Sequence, residues 1–236
     1  MWLKFLFFIT LLFSNWLVAE EVPLRVVTEA SYPPFESFNE HKQIVGFDIA
    51  LTKALCQQIK RRCEFYHQPF DSLLDSVAEG NYDLAISALD ITNARLEQVS
   101  FSQPYFENTA VYISHAGFEL ADFSVIAVQS GSSFQHFLRS QRPELLSISY
   151  PSYQLALANL SQGKIDAVFL DAAAAQYWLA SHTGFVTQVE PKYPVGGLGI
   201  AVSKQNPSLL QQINHALTVL KNNGRYLSLY KHYFKQ

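Results

Sequence analysis

The sequence predicts an α/β fold of two lobes, each built on a mostly parallel sheet, joined by two crossing strands with a ligand cleft between them. Strand-like and helix-like patterns alternate, as expected of parallel sheets with crossover helices. That alternation runs through once and then repeats. In addition, "EGNYDLAIS" (79–87) echoes "QGKIDAVFL" (162–170): both run polar, glycine, any residue, apolar, aspartate, then three apolar residues.

In the first round, "PLRVVT" (23–28), "CEFYH" (63–67) and "YDLAISA" (82–88) read as strands. Between them, residues 46–60 place Ile49, Thr52, Leu55, Cys56 and Ile59 on one helical face, with Asp48 expected as the N-cap. Residues 71–80 read as a helix stopped by Gly80, and 93–99 as a short one. The second round gives strands at 123–129, 145–150 and 165–170, with helices at 133–141, 153–163 and 172–180. "NTAVYIS" (108–114) and "GGLGIAVS" (196–203) are the expected crossings, and the helical tail (207–234) is expected to return to the first lobe. The resulting division is an export signal over 1–19, a first lobe over 20–112, a second over 113–198 and the first-lobe return over 199–236.

The export signal rests on Lys4, the apolar run from Phe5 to Val18, and Ala19 as the small residue before the cut. That run is short for a bilayer span, which takes about 20 residues. Export favours oxidation, so Cys56 and Cys63 are expected to form a disulfide. Two cysteines without a matched histidine pair fall short of a zinc site. The formal charge of −3, with no basic run, argues against nucleic acid. No cofactor or metal is expected, and the chain is expected to act as a monomer.

Ligands of open α/β sheets bind beyond the carboxyl ends of the strands. Those ends carry Glu29 and Tyr32, then Phe70, then Asp90, Thr92 and Arg95, then residues 130–133, then Asp171. Arg95 lies in the first turn of a helix that Thr92 is placed to cap. A cation there opposes the helix dipole, unless it turns toward an anion, and a carboxylate is its natural bidentate partner. "SGSS" (130–133) is a glycine turn entering a helix, whose free N–H groups suit the same anion. Asp90 and Asp171 are two acids facing one cavity, and an ammonium fits them better than a metal needing more oxygen ligands. Asp171 alone could equally cap the helix that follows it. The combined set reads as a receptor for an α-amino acid. Tyr32 and Phe70 would flank its side chain and Glu29 would suit a cationic one.

"SYPPFES", "VGFDIALTKALC", "ALDITNAR", "QVSFSQPYFEN", "SYQLALANLSQGKIDAVFLD" and "GRYLSLYKHYF" together resemble the polar amino-acid-binding proteins of bacterial ABC importers, nearest to the periplasmic arginine-binding proteins. The resemblance implies the type II periplasmic-binding-protein fold, a periplasmic location and a membrane permease as partner. It implies that Arg95 and the 131–133 turn hold the ligand carboxylate, Asp171 the α-ammonium, and that Cys56 and Cys63 are bonded. The full candidate set is Glu29, Tyr32, Phe70, Ser87, Ala88, Asp90, Arg95, Gln129, Gly131, Ser133 and Asp171. Ser133 stands where the family usually has threonine and keeps the hydroxyl. Glu29 lies where relatives vary, which leaves L-arginine against lysine, ornithine or histidine open. Two other classes compete. A dehydratase-type enzyme on the same fold would need a general acid, for which Glu29 and His67 are the candidates. An amino-acid-sensing or host-interacting module would need a separate partner.

Overall fold

The computed structural model describes residues 22–194 and 196–234. The export signal lies outside the described residues.

Two five-stranded sheets form the two lobes. In the first, Cys63–His67, Leu24–Thr28 and Leu84–Ala85 run parallel, followed by antiparallel Ala201–Val202 and then Ser100–Phe101. In the second, Leu146–Tyr150, Val125–Gln129 and Ala167–Asp171 run parallel, followed by antiparallel Ala110–His115 and then Phe185–Val189. In each lobe the first of the three parallel strands therefore lies between the second and the third.

The sequence echo falls on the third parallel strand of each sheet, and its aspartate has the same task twice. Asp83 accepts the Arg25 N–H at 2.7 Å and donates its own N–H to the Arg25 carbonyl at 2.9 Å. Asp166 accepts the Val125 N–H at 2.7 Å and donates to the Val125 carbonyl at 3.0 Å. One residue thus satisfies the backbone where the first strand begins and sets the register of the third beside it.

Phe106–Asn108 and Gly196–Leu198 pair antiparallel as the two crossings. The expected crossing at 108–114 is corrected by this pairing. Ala110–His115 is a strand of the second sheet, buried at five of its six positions, so the second sheet already begins ahead of residue 113. Its apolar run fits burial on both faces rather than a connector. After the second crossing the tail packs on the helix Phe47–Gln58. Phe234, at the end of the helix Arg225–Phe234, lies 4.9 Å from Phe47 and 4.8 Å from Phe106, ring centre to ring centre. Cys56 and Cys63 are joined, tying that helix to the next strand.

Asp48 is not the N-cap of its helix. Gly46 holds that position, and the Asp48 side chain is buried, accepting the Ala88 N–H at 2.9 Å and the Tyr105 hydroxyl at 2.8 Å. Beside it, buried Glu36 accepts the Ser87 hydroxyl at 2.8 Å. Burial pushes Asp48 up to about 7. Burial, then the charge of Asp48, pushes Glu36 well above the usual carboxylate range. The pair holds the loop that leaves Leu84–Ala85, where Ala88 takes the left-handed φ of +44°.

Because both acids titrate higher in the fold than in the unfolded chain, the stability they contribute is complete below about pH 4. It is lost as pH rises through about 7. Asp48→Asn keeps an acceptor for Ala88 and Tyr105, and it should flatten the fall of melting temperature between about pH 5 and about pH 8. Asp48→Ala should instead cost about 2–4 kcal/mol by leaving two buried donors unpaired, as read by chemical unfolding.

Candidate ligand-binding site

The site assembles from loops at the carboxyl ends of the strands in both lobes. In the first lobe, Thr92 Oγ1 accepts the Arg95 N–H at 3.3 Å and opens the short helix Asn93–Gln98. The Arg95 side chain turns back. It donates to the Asp90 carbonyl at 2.9 Å and, across the cleft, to the Gly131 carbonyl at 3.3 Å. Its guanidinium lies 5.6 Å from the centre of the Phe70 ring. Burial lowers the pKa of Arg95 and the charge of Asp90 opposes that, but a guanidinium keeps its proton in proteins.

In the second lobe, Gln129 ends its strand and Gly131 turns the chain at φ +75°. A Cβ on Gly131 would sit 2.8 Å from Cβ of Asp71 in the first lobe, so only glycine permits this approach. Ser132 caps the helix Ser133–Gln141, accepting the Gln135 N–H at 3.1 Å. Ser133 is left free to donate its hydroxyl to Asp90 across the cleft.

The side chain of Asp171 does not cap the helix that follows it. The residue occupies the N-cap position of the helix Ala172–Leu179, yet its side chain makes no capping bond. Oδ2 accepts the Tyr32 hydroxyl, and the Asp171 N–H donates back to that oxygen at 3.1 Å. Oδ1 is buried with no partner in hydrogen-bonding geometry among the described residues. Burial, and then the charge of Asp90, pushes this carboxyl up to about 8. A buried carboxyl in that condition holds a proton or takes up a cation.

Nine of the eleven candidate residues surround one enclosed cavity of about 10 Å3: Tyr32, Phe70, Ser87, Ala88, Asp90, Arg95, Gln129, Ser133 and Asp171. The lobes are thus in contact here. Gly131 stands just outside, joined through its carbonyl to Arg95. Glu29 lies in the wall of an adjoining groove of about 860 Å3, which shares Tyr32 and Tyr153 with the cavity. Glu29 is buried, with Oε1 accepting the Ser31 hydroxyl and Oε2 unpartnered among the described residues. Burial raises its pKa, against the lowering effects of Ser31 and His67.

The two rings expected to face each other across a ligand are otherwise engaged. Phe70 carries Arg95, and Tyr32 stacks on Tyr153 at 4.8 Å. Sequence reasoning missed Tyr153, although it follows the strand Leu146–Tyr150 and the carboxyl-end rule would have included it. It also missed Asn108 and Tyr193, which donate to Asp90 at 2.9 Å each. Both reach the site from the crossing segments, and no local pattern marks them.

A pair of lobes closing strand-end loops around buried carboxylates and a guanidinium defines a binding protein for a small zwitterion. The chain belongs to the bacterial extracellular solute-binding proteins, family 3, whose family model matches residues 24–236. It is 41% identical over 226 residues to the ABC transporter arginine-binding protein 1 of Escherichia coli K12, with 92% of each chain covered. A solved structure from Salmonella typhimurium, described as a periplasmic binding protein of high arginine specificity, matches with a TM-score of 0.86. The two are 34% identical, with 90% of this chain and 99% of that chain covered. An ancestral amino acid-binding protein, described as a precursor of cyclohexadienyl dehydratase, matches with a TM-score of 0.82. There the identity is 28%, with 90% of this chain and 96% of that chain covered.

Since Asp171 titrates higher in the fold than in the unfolded chain, it costs stability increasingly as pH rises from about 4 through about 8. Asp171→Asn should leave the ligand-free protein at least as stable as the wild type. Its advantage should grow toward about 1–3 kcal/mol above pH 8, read by urea unfolding at several pH values. Loss of stability in the variant would mean that the carboxylate supports the helix after all.

Proposed function

We propose that the protein is the periplasmic receptor of an ABC importer for a basic L-amino acid, L-arginine before lysine, ornithine or histidine, and passes it to a membrane permease without chemical change. The observation that carries this reading is the unpartnered oxygen of Asp171, buried in the cleft that also holds Arg95. An α-ammonium supplies what Asp171 lacks. The α-carboxylate meets the guanidinium of Arg95 and the 131–133 turn from opposite lobes. Glu29, with its own unpartnered oxygen in the wall of the adjoining groove, suits a guanidinium or ammonium at the far end of the side chain.

The enclosed cavity is far smaller than an amino acid, so entry requires the lobes to part and re-close. The ligand favours the closed state because only there do both halves of the clamp reach it. The relatives support transport over catalysis. The enzymatic alternative draws on the likeness to a dehydratase precursor. Of its two candidate acids, His67 accepts the Ala30 N–H through Nδ1 at 3.0 Å and Glu29 accepts the Ser31 hydroxyl, and no paired base stands out beside them among the described residues.

L-Arginine at about a hundred times its dissociation constant should stabilise the protein by about 2.7 kcal/mol. That raises the melting temperature by roughly 5–10 °C. Asp171 must lose its proton to pair with the ammonium. Affinity should therefore rise between about pH 6 and about pH 8, with up to one proton released per arginine bound near neutrality. Calorimetry in buffers of different ionisation enthalpy measures that release. A shift with glutamine and none with arginine would overturn the side-chain assignment, and mass change of the ligand on incubation would overturn the non-enzymatic reading.

A further inference from the structure

Asp90 lines the cavity, and its charge suggests a second ammonium partner. Its hydrogen bonds say otherwise. Oδ1 accepts the Asn108 amide at 2.9 Å, and Oδ2 accepts both the Tyr193 hydroxyl at 2.9 Å and the Ser133 hydroxyl. The donors come from three places: Asn108 from the crossing strand Phe106–Asn108, Ser133 from the first turn of a second-lobe helix, and Tyr193 from the segment just before the other crossing. Asp90 itself is fixed to the first lobe, following Leu84–Ala85, and forms a β-bridge with Leu198.

Tyr193 is equally fixed to the second lobe. Its ring packs on Phe134 at 5.0 Å, Phe137 at 5.1 Å and Phe169 at 5.7 Å. It lines neither the enclosed cavity nor the adjoining groove. In this structure, where the two lobes meet, its hydroxyl spans from second-lobe packing to first-lobe Asp90.

We infer that Tyr193 and Asp90 form a closing latch between the lobes, and that Tyr193 sets the affinity for the amino acid without touching it. This rests on the receptor reading above. A hydrogen bond made only in the closed state raises the closed fraction, and apparent affinity rises by the same factor. Bonds to a charged acceptor are among the stronger ones, since the carboxylate is buried and the donor is preorganised by its ring packing. Asp90 is then a positioning residue. Asp171 is left as the principal anion for the ammonium, which agrees with its free oxygen.

The test is Tyr193→Phe, which removes one hydroxyl and keeps the ring in its aromatic cluster. L-Arginine should bind about ten-fold more weakly, almost wholly through faster dissociation in stopped-flow measurements, with the association rate within about two-fold of wild type. The melting temperature of the ligand-free variant should be unchanged, which separates a latch from a packing defect. If it falls markedly, the double-mutant cycle with Asp90→Asn decides. A latch requires the double variant to be little worse than either single one, and additive losses overturn it. Wild-type affinity and dissociation rate in Tyr193→Phe also overturn it. If the wild type itself does not bind arginine, the receptor reading has failed instead.

Discussion

A buried carboxylate needs either a proton or a positive partner, and the cleft of this protein is arranged around that constraint. Asp90 and Asp171 are 5% and 2% exposed, one from each lobe, and the charge of Asp90 adds to burial in raising the pKa of Asp171. Among the described residues Arg95 is the one guanidinium lining their cavity, and it is held by backbone carbonyls rather than by either acid. Its charge therefore stays available. Asp90 is met by three donors and Asp171 by one, which makes the two acids unequal. The saturated acid ties segments of the protein together, and in the receptor reading proposed above the unsaturated one is left for the ligand.

The same currency appears one layer deeper. Glu36 and Asp48 are a second buried acid pair, and they fasten Ser87 and Ala88 from behind. The loop that delivers Asp90 to the cleft is thus pinned by carboxyls that favour the protonated state. A site made of a few backbone atoms and short side chains needs such support, since a displacement of about 1 Å would misplace the hydrogen bonds it offers.

Much of this was legible in the sequence because the α/β rule converts order along the chain into position in space. Once strands and helices alternate, the residues just after each strand become neighbours, and nine of the eleven candidates do surround one cavity. The lobe repeat was legible through Asp83 and Asp166, because one backbone task demands the same residue at the same place twice. What failed to show was long-range. Asp48 looks like an N-cap by local pattern, yet the N-cap is Gly46, two residues earlier, and the partners of Asp48 lie 40 and 57 residues away. Ala110–His115 looks like a connector because it follows the first lobe directly, but its burial belongs to the second sheet. Asn108 and Tyr193 carry no periodicity at all, and only the folded chain brings a crossing strand and a second-lobe ring to Asp90.

Separating latch from ligand contacts has a consequence for how such a protein can change specificity. In the proposed reading Asp90, Asn108 and Tyr193 act on the lobes and Arg95 and Asp171 meet the groups common to all α-amino acids, while Glu29 sits apart in the wall of the open groove. A substitution at Glu29 alters the charge offered to the side chain while leaving the latch donors and the carboxylate clamp in place. The energy of closing is then largely independent of which side chain is enclosed. On the proposed reading discrimination falls instead on one buried carboxylate with a free oxygen, where a cationic side chain would be rewarded and a neutral one would leave that oxygen unpaired.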